Sequence, residues 1–226
     1  MSVIRFEGVE HSYGERSVLA GVDLTLSEHR IGVIGANGGG KSTLARMING
    51  LVMPSTGQVT VDGLDTRKKG RDVRRKVGFV FTDPNHQIIM PTVAEDIEFS
   101  LRRRKMSKNE RAVLVDEALD RFGLSGHREH PTHLLSGGQK QLLALAAVMV
   151  TDPDVLVADE PTTLLDLRNT RMIAETFARL PQQLIVVTHQ LDLLNTFDRV
   201  LVIDEGRVVA DGAPQSSIDH YRTLVG

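Results

Sequence analysis

Gly35-Ala-Asn-Gly-Gly-Gly40-Lys41-Ser42 stands between two segments of opposite character. Before it, Ile31 to Ile34 is a short apolar run that reads as a strand; after it, Leu44, Met47, Ile48 and Leu51 recur at the spacing of one helical face. The spacing predicts a helix from Lys41 to about Gly50, with the glycine where a C-terminal stop is expected. A G-x-x-x-x-G-K-[ST] stretch between a strand and a helix is a phosphate-binding loop. Glycines let successive backbone N–H groups turn inward around phosphate oxygens, and the new helix adds the positive end of its dipole. Lys41 then reaches the β and γ phosphates, and the Ser42 hydroxyl ligates Mg²⁺. The expected nucleotide-binding set is Gly35, Asn37, Gly38, Gly39, Gly40, Lys41, Ser42 and Thr43, with Lys41 also serving catalysis. A merely flexible glycine turn is the alternative, and it does not account for Lys-Ser in register.

A triphosphate-hydrolysing loop needs an acid at the end of a second strand to hold the metal. Val155-Leu-Val-Ala-Asp159-Glu160 supplies it: Asp159 is the expected Mg²⁺ partner, and Glu160 stands where a carboxylate accepts a proton from attacking water. Alone, a strand ending in Asp-Glu is equally an ordinary charged turn.

Around these two motifs the patterns organise the chain. Val3–Val9, Val22–Leu26, Val59–Val61 and Val77–Phe81 read as strands, the last ending in a turn at Thr82-Asp83-Pro84. From Thr92 to about Val150 the periodicity is helical. Ser107 with Glu110 forms a capping-box pattern, followed by apolar Val113, Ala118, Leu119 and Phe122 and a stop at Gly123. Val155–Ala158 and Leu184–Thr188 have the continuous apolar character of parallel strands covered on both faces. Val200–Asp204 and Arg207–Ala210 read as a hairpin through Glu205 and Gly206.

The 226 residues, 41% hydrophobic, suffice for a sizeable core. A formal net charge of -2 gives no reason to expect a nucleic-acid partner. The absence of cysteine excludes disulfides, thiolate metal sites and cysteine nucleophiles. Met1 to Val9 carries no signal-peptide pattern, and no apolar run approaches the roughly 20 residues a membrane span requires.

Leu135-Ser-Gly-Gly-Gln139, about 20 residues before Asp159, narrows the choice. It resembles the signature of the ATP-binding-cassette (ABC) family, and the resemblance runs from about Val3 to Gly212. It implies an α/β fold of the P-loop NTPase type: a mainly parallel core sheet with an antiparallel β subdomain (about 1–82 and 151–226) and an inserted helical lobe (about 83–150), all in one ATPase domain. It implies ATP and Mg²⁺ at the loop, with Ser136, Gly137, Gly138 and Gln139 completing the site of another subunit in trans. Tyr13 corresponds to the residue that stacks on adenine, Asp166 to the loop crossing the dimer interface, and His189 to the switch histidine at the γ phosphate. Thr82 occupies the sensor position, where the family usually has Gln; its shorter hydroxyl offers no amide carbonyl, which implies a water-bridged contact in place of direct metal ligation. Gln87, five residues on, is a possible substitute.

Asp83 to Asp96 resembles the corresponding stretch of the ATPases of energy-coupling-factor importers, which take up vitamins and cobalt or nickel ions. Ile88, Ile89 and Met90 either line a groove for a membrane partner or belong to ordinary core. The short end at Gly226 resembles the biotin-transport members, so biotin is the favoured cargo and cobalt the next. The resemblance implies a homodimer or a paired homologous ATPase on the cytoplasmic face of the membrane. Its expected companions are a transmembrane coupling protein and a substrate-binding membrane protein. A soluble cassette ATPase of iron-sulfur cluster assembly is the alternative.

Overall fold

The computed structural model describes all residues, Met1–Gly226. The first elements are β1 (Ile4–Tyr13), β2 (Arg16–Leu26), β3 (Arg30–Gly35), α1 (Lys41–Ile48), β4 (Thr56–Val61), β5 (Leu64–Asp65), α2 (Gly70–Lys76) and β6 (Val77–Val80). Helices α3 (Val93–Leu101), α4 (Lys108–Arg121) and α5 (Gly137–Met149) follow. The chain closes with β7 (Val155–Asp159), α6 (Leu167–Arg179), β8 (Gln183–Val187), β9 (Arg199–Asp204), β10 (Arg207–Gly212) and α7 (Pro214–Val225). Contacts divide it into two compact units: Met1–Phe79 with Asp154–Glu160 and Leu180–Gly226, and Val80–Pro153 with Pro161–Arg179. No helix is long and apolar enough to cross a membrane.

The first unit is built on two sheets. One has the order β2-β1-β4-β5 with antiparallel pairing. In β1 the buried residues Ile4 and Phe6 alternate, and register shifts before Val9 and His11 then reset which positions face inward. That is why the strand outruns the simple alternation of Val3 to Val9. The second sheet has the order β10-β9-β3-β8-β7-β6, with β9, β3, β8 and β7 parallel and β10 closing as an antiparallel hairpin partner of β9. Every residue of β7 and of β8 is buried, as their unbroken apolar runs require. Helix α1 packs on β7, β8 and β4, and α7 on β9, β10 and β3. Of these, α7 gives little periodic signal, because only Ser217 and Ile218 are buried. It is held by a buried bond from Ser217 Oγ to Val200 O, 2.8 Å long.

In the second unit α5 is the hub, packing against α3, α4 and α6. Its Leu142, Leu143, Leu145 and Ala146 are buried on nearly every side, as an all-round apolar helix demands. Three helices open with complete capping boxes: Thr92 with Glu95, Ser107 with Glu110, and Ser136 with Gln139. Each box satisfies first-turn amides that would otherwise lack partners, a contribution of about 1 kcal/mol apiece. In α4 the expected residues Ala118, Leu119 and Phe122 are buried, and one is not. Val113 is 56% exposed, while Val115, Ala118 and Leu119 turn inward. Helix α6, which falls in the stretch expected to belong with the core sheet, groups with the helical unit because it packs on α5.

Candidate active site

The phosphate loop leaves β3 at Gly35 and enters α1 at Lys41. Gly35 has φ +144°, and a Cβ there would stand 1.9 Å from Ile203 O; Gly40 has φ +105°, with Val18 O 2.6 Å from the corresponding position. No side chain can replace either glycine without moving backbone. Gly40 caps α1 without a side chain, and the first amide tied into the helix is Leu44 N, which donates to Gly40 O at 2.9 Å. The amides of Lys41, Ser42 and Thr43 thus form an open first turn, the arrangement that binds anions. The side chain of Lys41 is buried against the loop, where Nζ donates to Gly35 O (2.8 Å) and Ala36 O (2.9 Å). An ammonium has three N–H groups, so one remains for a ligand. Burial lowers the Lys41 pKa from the ordinary lysine value, and the charges of Glu160 and Asp159 oppose that shift.

At the end of β7, Asp159 is fully buried and doubly held. Ser42 Oγ–H donates to Oδ1 (2.7 Å) and Arg46 Nη2 to Oδ2 (3.2 Å). Burial raises its carboxyl above the usual carboxylate range, and the bonds from Ser42 and Arg46 pull against that shift. Arg46 escaped the sequence reading because it looks like an exposed residue in the last turn of a helix; only the packing of α1 on β7 brings it to Asp159. Glu160, the next residue, adopts φ +52°, a left-handed conformation that non-glycine residues rarely take. Its amide donates to Val187 O on β8 (2.9 Å), and His189 Nδ1 lies 2.8 Å from Glu160 Oε2.

A cavity of about 280 Å³ collects most of these groups: Asn37, Gly38, Gly40, Lys41, Ser42, Thr43 and Glu160 line it, together with Tyr13 at the end of β1. Tyr13 is 51% exposed and meets the His11 ring edge-on, with ring centroids 4.6 Å apart. A half-exposed aromatic at a cavity rim is available for stacking rather than spent in the core. Gly35 and Gly39 shape the loop from behind. Arg16 also lines the cavity, and the sequence reading did not single it out.

The remaining expected residues belong to the second unit. Ser136 caps α5: its Oγ accepts from Gln139 N (3.3 Å), and its amide donates to Gln139 Oε1 (2.9 Å). Gln139 Nε2 is also 2.9 Å from His127 Nε2. Gly137 begins α5, and a Cβ on Gly138 would fall 2.3 Å from the Asn169 side chain on α6. Asp166 caps α6 by accepting from Asn169 N (2.8 Å). Thr82 follows β6 and is half-buried. Gln87 is not free to stand in for it, because Oε1 accepts from Phe81 N (3.3 Å) and Nε2 donates to Ala144 O (3.2 Å). Ile89 is 61% exposed, so it is not core, while Ile88 and Met90 are half-buried.

Residues 19–163 match the sequence profile described as ABC transporter. The chain belongs to the ABC transporter family. It is 53% identical to a putative ABC transporter ATP-binding protein of Deinococcus radiodurans, over 97% of each chain. It is 45% identical to the biotin transport ATP-binding protein BioM of Rhizobium etli, over 98% of each. Identity to the energy-coupling factor transporter ATP-binding protein EcfA1 of Symbiobacterium thermophilum is 40%, over 96% of this chain and 83% of that one. Among solved structures, CbiO1 of Clostridium perfringens, part of the ABC transporter complex CbiONQ, superposes with a TM-score of 0.85 at 32% identity, covering 98% of this chain and 92% of that one. The dimeric ATP-binding cassette MJ0796, bound to ADP and Pi, gives 0.82 at 28% identity over 93% and 98%.

As an ABC cassette the chain is an ATPase, and its fold is the P-loop NTPase fold that the loop predicted. The residues also suit Mg²⁺. Ser42 lines the cavity and Asp159 is buried, and their oxygens Oγ and Oδ1 are already 2.7 Å apart; no cluster of three or more His, Asp or Glu side chains offers a cage for another metal. Magnesium in nucleotide sites is held by one or two protein oxygens and otherwise by phosphates and water, which is what this pair can provide.

Proposed function

We propose that this chain is the ATPase subunit of an energy-coupling-factor importer and powers uptake of a vitamin or metal ion, with biotin the first cargo to test and cobalt the second. What carries the reading is one juxtaposition. Lys41, Ser42 and Glu160 line a single cavity, and Ser42 is bonded to the buried Asp159, on a chain whose relatives include proteins named for biotin and energy-coupling-factor transport. The iron-sulfur reading has no observation in its favour.

The whole chain acts as one ATPase domain of core and helical lobe. Tyr13 stacks on adenine, and the loop from Gly35 to Thr43 holds the phosphates through backbone N–H groups and Lys41. Ser42 and Asp159 hold Mg²⁺, which when bound neutralises charge on the phosphates. Glu160 accepts the proton of the attacking water, and His189 orients Glu160 and reaches toward the γ phosphate. Thr82 holds the sensor position, where a short hydroxyl suits a water-bridged contact rather than direct metal ligation. One chain presents one loop and one Ser136-to-Gln139 turn, and the Gly137 and Gly138 amides, which the capping box does not use, can stabilise charge developing on a phosphate. We therefore place Ser136, Gly137, Gly138 and Gln139 of each copy on the nucleotide of a second copy or a paired homologue, with Asp166 at the crossing. The active assembly sits on the cytoplasmic face of the membrane with a transmembrane coupling protein and a substrate-binding membrane protein.

The test is reconstitution. The chain is co-expressed with the membrane proteins encoded beside it, and ATP-dependent uptake of labelled biotin and of Co²⁺ into vesicles is measured. Uptake of either that is abolished by Glu160→Gln supports the reading. Robust ATPase activity without a membrane partner in any preparation, and without uptake, sinks it.

A further inference from the structure

We propose that Arg16 is a second cationic contact for the nucleotide, binding the β and γ phosphates alongside Lys41. The inference rests on the ATP site described above and deepens it.

Three observations carry it. Tyr13 and Arg16 are directly paired residues across the antiparallel β1–β2 ladder, separated only by the turn Gly14-Glu15. Directly opposed residues in such a ladder project from the same face of the sheet, so a hairpin that offers Tyr13 to the cavity must offer Arg16 beside it. Both line the cavity with Lys41 and Ser42. The guanidinium also lies over the phosphate loop itself: Nη2 is 3.1 Å from where a Cβ on Gly38 would stand, which places it above the loop's backbone rather than out along the sheet. Finally, Arg16 is solvent-exposed and has no acidic partner, unlike Arg46 and Arg199, whose guanidiniums are held by carboxylates. A planar guanidinium with its donors uncommitted, positioned over a phosphate cradle, matches two oxygens of a polyphosphate at once. One tight hairpin therefore supplies the platform for the base and a cation for the phosphates.

The experiment titrates wild type, Arg16→Ala and Arg16→Lys with ATP, ADP and AMP by displacement of a fluorescent nucleotide, and records the unliganded melting temperature of each. Arg16→Ala should weaken ATP and ADP binding about tenfold and AMP less than about twofold, as expected for one exposed charge-assisted contact to phosphate. Arg16→Lys should recover part of the loss, and the unliganded melting temperatures should agree, since Arg16 braces nothing else. Equal affinity of Arg16→Ala and wild type for ATP overturns the assignment while leaving the site intact. An equal loss for all three nucleotides overturns the phosphate assignment in favour of a ribose or α-phosphate contact. Failure of the wild type to bind ATP would overturn the site reading, and Arg16 with it.

Discussion

His189 Nδ1 sits 2.8 Å from Glu160 Oε2, joining the end of β8 to the residue that follows β7. A carboxylate can only accept, so Nδ1 carries the hydrogen in this pair and Nε2 is left for another partner. If Glu160 is the base, Glu160→Gln should bind ATP as well as wild type, lose turnover by about 10²- to 10⁴-fold, and accumulate as an ATP-bound dimer in size-exclusion chromatography. His189→Ala should lower turnover less. The double variant should lose less than the sum of the two single losses, because the two residues share one hydrogen bond. Additive losses would show that His189 works independently of Glu160.

Lys41 gives a pH dependence with a definite sign. Burial lowers its pKa, so part of the population loses the ammonium at a pH where an exposed lysine keeps it, and the phosphates bind the charged form. ATP binding should therefore weaken as pH rises, and in the window just below the ordinary lysine range it should take up protons. Calorimetry in buffers of different ionisation enthalpy measures that uptake directly. Proton release, or none, would contradict the role given to Lys41.

Asp96 anchors the Ile89–Met90 segment, with one carboxylate oxygen accepting from both amides at 2.8 and 2.9 Å. Asp96→Ala strips the acceptor from both and should destabilise the chain by about 1–3 kcal/mol. Asp96→Asn keeps an acceptor oxygen and removes a buried charge, so it should be neutral or stabilising near pH 7. Burial raises the Asp96 pKa. The native state then holds more protons than the unfolded one just above the ordinary carboxylate range, and the Asp96 contribution to stability falls as pH rises through that window. The gain in melting temperature from Asp96→Asn should accordingly shrink as the pH is lowered below it.

Gly138 is where α5 meets α6, and a Cβ would stand 2.3 Å from Asn169 Cγ. Gly138→Ala should cost about 1–3 kcal/mol through overpacking. Asn169→Ala should recover part of that cost in the double variant, because it removes the two nearest atoms. Equal melting temperatures for Gly138→Ala and wild type would show that the helices shift freely. The second glycine would then serve only the nucleotide.

The loop from Gly35 to Ser42 was legible in full because glycine spacing and a Lys-Ser pair are backbone requirements, and a backbone requirement is written in consecutive residues. The same holds for the capping box of Ser107 and Glu110, a local i to i+3 exchange, and for the buried parallel strands β7 and β8, whose unbroken apolar runs have few other interpretations. The misses have the opposite origin. Val113 was misassigned because an apolar residue on a weakly amphipathic helix faces whichever way the packing against α5 turns it. Gln87 looked available until the fold set Phe81 N and Ala144 O at its two ends. The sequence by itself therefore determined the glycine loop with Lys41 and Ser42 between a strand and a helix, and the acidic pair Asp159-Glu160 at the end of β7. Tertiary structure alone decided that Arg46 steadies Asp159, that His189 reaches Glu160 and that Arg16 overhangs the loop. Those relationships join residues 113, 29 and 22 positions apart. No local periodicity records a side chain's neighbour across a sheet; that neighbour exists only once strand order and register are set.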